Sequence, residues 1–204
     1  MPPPDILAGC HAIILAAGAG TRFDGAKLLA PLGDRPLIGW AVAAALASRV
    51  ESVTVVLGAR ADRVLAALDA FSDTRLRSMV CEGWAEGLSA SLRCGLAALP
   101  ADVRAAAIFL GDMPRCRAAV ADAMLMRVLA GAPAAMPEFA GQPGHPVAIA
   151  PQLFGALRNL TGDRGARAVL EATPGAVRVP LDDHGCIEDV DARNDLQRLA
   201  RSRS

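Results

Sequence analysis

Residues 14–28 read ILAAGAGTRFDGAKL. An apolar run stops at two small residues, Ala16 and Ala17, and a glycine-rich turn follows with Arg22 and Lys27 set among its glycines. The segment precedes any good helix signal, so it is not an ordinary strand-to-helix connector. Two familiar phosphate loops are excluded at specific positions. A dinucleotide-binding turn needs GxGxxG, but Gly18, Ala19 and Gly20 are followed by Thr21, Arg22 and Phe23, and the second strand ends in Leu57-Gly58 without the acidic residue for a ribose. In a Walker A loop a lysine follows the second glycine directly. Here Gly20 and Gly25 have the right separation, but Ala26 precedes Lys27, and Leu28 replaces the metal-binding hydroxyl. What remains is a loop of exposed N–H groups that can close around a large anion. Arg22 offers a planar fork to phosphate oxygens and Lys27 a compact point charge. The alternative is a plain turn with two solvated cations.

Outward from this loop, short apolar runs alternate with longer amphipathic ones. Strands are expected at 12–17, 53–58, 77–81 and 105–111, and helices at 36–47, 61–68, 89–99 and 117–131. Strands apolar throughout and separated by helices indicate a parallel sheet covered on both faces, an α/β three-layer sandwich with a mostly parallel, Rossmann-like sheet. Beyond 131 the rhythm loosens. Extended segments are expected at 132–139, 145–150, 177–180 and 186–191, and helices at 151–158, 163–172 and 193–200. No linker or repeat divides the 204 residues, enough for one sizeable domain. In such sheets chemistry belongs just after the carboxyl ends of strands.

Composition narrows the function. Formal net charge is zero without basic or acidic runs, which disfavours nucleic acid as a partner. The hydrophobic fraction of 53% is inflated by alanine, and no run approaches the length of a membrane span. The N-terminus lacks the basic region and long apolar core of a signal peptide. Cys10, Cys81, Cys94, Cys116 and Cys186 are odd in number and scattered, with no CxxC pair. They read as unpaired small apolar residues of a reduced, cytoplasmic chain.

The string LAAGAGTRFDGAK resembles the signature loop of the sugar-nucleotide-type nucleotidyltransferases. It is most similar to the molybdenum cofactor cytidylyltransferases of the MobA-like NTP transferase family. Further blocks in the same order carry the resemblance over about 12–200: EGLSASLRCGL (86–96), LGDMP (110–114), GQPGHPV (141–147) and TGDRGAR (161–167). The resemblance implies that Leu15, Ala16, Ala17, Gly18, Gly20, Thr21, Arg22 and Lys27 bind nucleotide, with Gly87, Ser89 and Ser91 near the base and ribose. Asp112 and Asp191 are implied to hold Mg²⁺; the other readings are a Gly-Asp turn at 111–112 and a helix cap at Asp191. The run DVDARND departs from the family's D-x-D-T-P-E-D pattern. Gly144, His145, Arg164 and Arg167 fall on the acceptor side, so the nucleotide half is expected at about 10–115 and the acceptor half at about 116–200. LAAG in place of LAGG favours CTP over GTP.

The implied reaction is transfer of CMP from CTP to molybdopterin, catalysed by Arg22, Lys27 and Asp112, with delivery to a molybdoenzyme or its chaperone. The alternatives are another nucleotide or another small phosphorylated acceptor, and a non-catalytic nucleotide-binding regulator. An NAD-dependent oxidoreductase is disfavoured by the missing third glycine and acidic residue.

Overall fold

The computed structural model describes residues 6–20, 23, 26–163 and 165–201. Its centre is an eight-stranded sheet. β1 (Cys10–Ala16) is buried along its whole length. It lies parallel between β4 (Ser52–Leu57) and β6 (Ala105–Leu110), with Ile13 in register with Thr54 on one side and Ile108 on the other. β5 (Leu76–Val80) extends the sheet beyond β4. Beyond β6 the order continues with β9 (Val147–Ile149), β7 (Ala134–Phe139) and β10 (Val177–Pro180). β9 is antiparallel to both neighbours, and β8 (Gln142–Pro143) folds back on β7. Two short strands, β2 (Pro31–Leu32) and β3 (Arg35–Pro36), pair separately.

The strands are apolar throughout because both faces are covered. Ala12, Ile14, Val55 and Phe109 pack with Ile38 and Ala41 of α1 (Leu37–Ala47), Val64 of α2 (Ala61–Leu68), and Met124 and Leu125 of α4 (Ala118–Leu129). Ile13, Leu15, Val56 and Ile108 face the other way. They meet Leu92 and Leu96 of α3 (Leu88–Ala97), Leu157 of α5 (Phe154–Arg158) and Leu170 of α6 (Arg167–Ala172). This is the expected three-layer α/β sandwich. Each fully buried large side chain, such as Ile13 or Phe109, contributes ~1.5–3 kcal/mol by leaving water. The closing helix, α7 (Arg193–Arg201), lies against a third cluster of Phe23, Leu32, Leu37, Val190 and Leu199.

Three expectations are corrected. The extended segment expected at 186–191 forms no strand: a tight turn over His184–Cys186, in which the Asp183 carboxylate accepts from the Gly185 N–H and Gly185 packs on the Arg115 carbonyl, leads into irregular chain at 188–191. The helix expected over 163–172 begins only at Arg167. The cysteines are not all unpaired: Cys81 and Cys94 form a disulfide, while Cys10, Cys116 and Cys186 are free and buried. Cys81 directly follows β5 and Cys94 sits on α3, with their Cα atoms 6.0 Å apart. The fold makes that proximity, and no short cysteine motif could.

After β1 the chain builds outward through β4 and β5, then returns to the other side of β1 at β6. That reversal leaves a crevice beyond the carboxyl ends of β1 and β6, where ligands bind in open α/β sheets.

Candidate functional site

A cleft of about 390 Å³ occupies this crevice, within the usual size of a small-ligand site. Leu15, Ala17, Gly18 and Ala19 line it from the first loop, and Leu110 and Asp112 from the end of β6. Trp84, Ala85, Gly87, Leu88, Ser91 and Asp163 complete the wall. Glycines are required where backbones meet. Gly87 has φ +113°, and a Cβ there would lie 2.6 Å from Asp163 Oδ1. Gly20, at φ +57°, leaves room for the Lys27 stem, since a Cβ would lie 2.9 Å from Lys27 Cβ.

The charged end of the cleft is an ion triad drawn from three remote parts of the chain. Lys27 Nζ donates to Asp112 Oδ2 at 2.7 Å and to Asp191 Oδ1 at 3.3 Å. Lys27 starts a short 3₁₀ turn (Lys27–Leu29) and its side chain is 14% exposed. Burial opposes its charge, but attraction and hydrogen bonding from Asp112 and then Asp191 outweigh that and raise its pKa. Asp191 arrives because the Val190 N–H donates to the Asp112 carbonyl at 3.0 Å while the Val190 side chain enters the third cluster. The start of α7 is capped by Asp195, whose Oδ2 accepts from the N–H groups of Asp191 and Ala192. The Asp191 carboxylate turns instead to Lys27.

Two carboxylates that already bracket a cation at an open cleft fit Mg²⁺, which keeps waters and substrate phosphates in its shell. No cage of three or more acidic, histidine or cysteine side chains occurs among the described residues, so substrate oxygens would have to supply further ligands. Asp189 lies nearby, its carboxyl pushed upward by partial burial and by Asp191 and Asp112.

The structure separates some residues that the sequence grouped. Ser91 lines the cleft, whereas Ser89 is fully buried and accepts from Arg93 Nη1 at 3.4 Å. The buried Ala16 side chain packs into the core beside α1, while Ala17 faces the cleft. Gly144, His145 and Arg167 gather away from the cleft wall. The His145 N–H donates to the Cys186 carbonyl at 2.7 Å, and Arg167 donates to the Pro143 carbonyl at 2.8 Å. Burial, with the Arg167 charge, lowers the His145 ring pKa to about 4, so the ring is neutral near pH 7. Thr21, Arg22 and Arg164 lie outside the described residues. Trp84 and Asp163 were not singled out for the cleft by sequence. Asp163 belongs to the 161–167 block assigned to the acceptor, but its neighbour Gly162 is tied to α3 by the Ser89 N–H at 3.1 Å.

The geometry accords with comparisons to known proteins. The bifunctional protein GlmU of Corynebacterium aurimucosum is 39% identical over 113 residues, 53% of this chain and 23% of that one. The chain thus spans about a quarter of that relative's length. Nicotine blue oxidoreductase of Paenarthrobacter nicotinovorans is 30% identical over 197 residues, 92% of this chain and 94% of that one. The crystal structure of Rv0371c from Mycobacterium tuberculosis, in complex with manganese, is 26% identical with a TM-score of 0.77, covering 95% of this chain and 98% of that one. The profile of the MobA-like NTP transferase domain matches residues 12–178. The chain belongs to the MobA-like NTP transferase domain family.

Proposed function

We propose that the chain is a Mg²⁺-dependent nucleotidyltransferase that moves CMP from CTP to the terminal phosphate of molybdopterin. The observation that carries this reading is the Lys27–Asp112–Asp191 triad at the mouth of the switch-point cleft. Residues of about 10–115 would bind nucleotide and those of about 116–200 the acceptor, within a single domain. Asp112 and Asp191 would hold the metal, which when bound supplies charge neutralisation across the reacting phosphates. An acceptor phosphate oxygen attacks the α-phosphorus, the bond to the β-phosphate breaks, and pyrophosphate leaves. The attacking oxygen is already an anion, so the neutral His145 is not needed as a base. Lys27 and Arg22 would neutralise the triphosphate and the departing pyrophosphate, leaving alignment and charge as the main sources of rate. Gly144, His145, Arg164 and Arg167 are assigned to the acceptor side. The product would pass to a molybdoenzyme or its chaperone.

The test is pyrophosphate release from each nucleoside triphosphate with and without molybdopterin, followed by CTP–GTP competition read by mass spectrometry. Release with CTP that depends on molybdopterin is expected. Predominant GMP attachment would overturn the base assignment, and release with no dependence on molybdopterin would overturn the acceptor. A second reading, a reductase holding a nucleotide cofactor in the same cleft, is favoured by the near full-length similarity to nicotine blue oxidoreductase. NAD(P)H oxidation without pyrophosphate release would select it.

A further inference from the structure

We infer that Asp163 determines nucleoside specificity by accepting a hydrogen bond from a donor on the bound nucleoside, the ribose 2′-hydroxyl or the exocyclic amine of its base. The inference rests on the proposed use of the cleft for a nucleotide. Among the described residues the cleft wall is mainly apolar side chains and glycine or alanine backbone, and Ser91, Asp112 and Asp163 are its polar side chains besides the Trp84 indole. Asp112 is engaged by Lys27 at the charged end, and Ser91 is buried. Asp163 brings to the wall beside Gly87 a carboxylate that is not a member of the ion triad. Its backbone is fixed there, because Gly162 turns at φ +65° and its carbonyl accepts from the Ser89 N–H at the start of α3. Oδ1 lies against Gly87, where any Cβ would come within 2.6 Å.

Charge alone argues against a carboxylate in this position. A cleft that takes a triphosphate is disfavoured by a nearby negative group, so a charge-only role predicts tighter binding when that charge is removed. An ionised carboxylate accepts and does not donate. It offsets the repulsion only by receiving hydrogen bonds from the ligand, and those charge-assisted bonds are the strong kind. A ribose 2′-hydroxyl or a base amine offers such a donor, whereas a uracil edge has no amine. The two ideas thus predict opposite signs for one substitution.

The experiment is calorimetric binding of CTP, UTP and 2′-deoxy-CTP, with Mg²⁺ and without acceptor, to the full chain and to Asp163→Asn. Asparagine keeps the shape and loses the charge and one acceptor. CTP binding should weaken about 10-fold or more, the scale of a lost hydrogen bond to a charged group. The unmodified chain should also bind UTP or 2′-deoxy-CTP more weakly than CTP by a similar factor, and the variant should no longer distinguish that analogue. Equal or tighter CTP binding by the variant overturns the inference. So does a loss of the same factor with all three nucleotides, which would make Asp163 a scaffold residue. The two analogues tested on the unmodified chain keep the inference falsifiable if the variant misfolds, because equal affinity for all three ligands also overturns it. If the unmodified chain binds no nucleotide at all, the proposed function itself fails.

Discussion

Lys27→Met replaces the ammonium by an uncharged side chain of similar length, and the structure sets the size of two separate consequences. The first is stability. The contact to Asp112 at 2.7 Å joins side chains 14% and 28% exposed, whereas Asp191, at 3.3 Å, is 58% exposed. The Asp191 contact is solvent-screened and contributes under about 1 kcal/mol; with the half-shielded Asp112 contact the total is about 1–2 kcal/mol. At this chain length that lowers Tm by roughly 2–4 °C per kcal/mol, a visible shift in a protein that still folds. The second is turnover. A preorganised positive group aimed at developing charge is worth about 100- to 1,000-fold. The loss should appear in kcat/KM for CTP and much less in KM for the acceptor, because Lys27 stands beside the first loop. Pyrophosphate release with each substrate varied in turn measures it. A direct metal readout accompanies it: with no ammonium between the two carboxylates, Mn²⁺ followed by electron paramagnetic resonance without nucleotide should bind several-fold more tightly. A folded variant with near-normal kcat/KM for CTP would refute the reasoning.

Part of the acid sensitivity should trace to His145. Its folded-state pKa of about 4 lies below the ordinary 6.5, so the unfolded chain takes up the proton first and stability falls as pH drops from about 6.5 toward 4. The difference amounts to about 2 kcal/mol at pH 5, and His145→Gln should flatten that limb in urea titrations; an unchanged limb would refute it. Reducing the Cys81–Cys94 disulfide, which closes a separation of 13 residues, should cost on the order of 3 kcal/mol. Cys94→Ser should make Tm insensitive to dithiothreitol, and persistent sensitivity would place the effect elsewhere. Gly87→Ala meets both a positive φ and the backbone of Gly162, whereas Gly131→Ala meets a similar φ of +108° with nothing within 4 Å. Only the Gly87 variant should lose CTP affinity, and equal losses would make the cleft contact irrelevant.

Legibility differed between the halves of the chain for a physical reason. Strands such as β1, β4 and β6 are buried on both faces, so their apolar runs are unbroken and stand out without periodicity. The same logic located Asp112, which directly follows such a run. Asp191 was suggested by resemblance alone, because a hydrogen bond from Val190 and the packing of Val190 bring it to the site. Neither leaves a local pattern. Ser89 and Ser91 look alike in sequence, yet one faces α3's interior neighbours and the other the cleft. Asp163 was hidden because a turn at Gly162 carries it back to Gly87, a contact between residues far apart in the chain.

The cluster of Phe23, Leu32, Leu37, Val190 and Leu199 ties the first loop and the last helix into one cooperative unit. Free-energy coupling is reciprocal, so whatever orders the loop around Phe23 also holds α7, and whatever loosens α7 weakens ligand binding. Amide hydrogen exchange in α7 is therefore a remote reporter of occupancy, slowing when nucleotide binds although no α7 residue lines the cleft. The tail acts as a clasp: trimming the chain before Leu199 would impair the loop from the far end of the sequence.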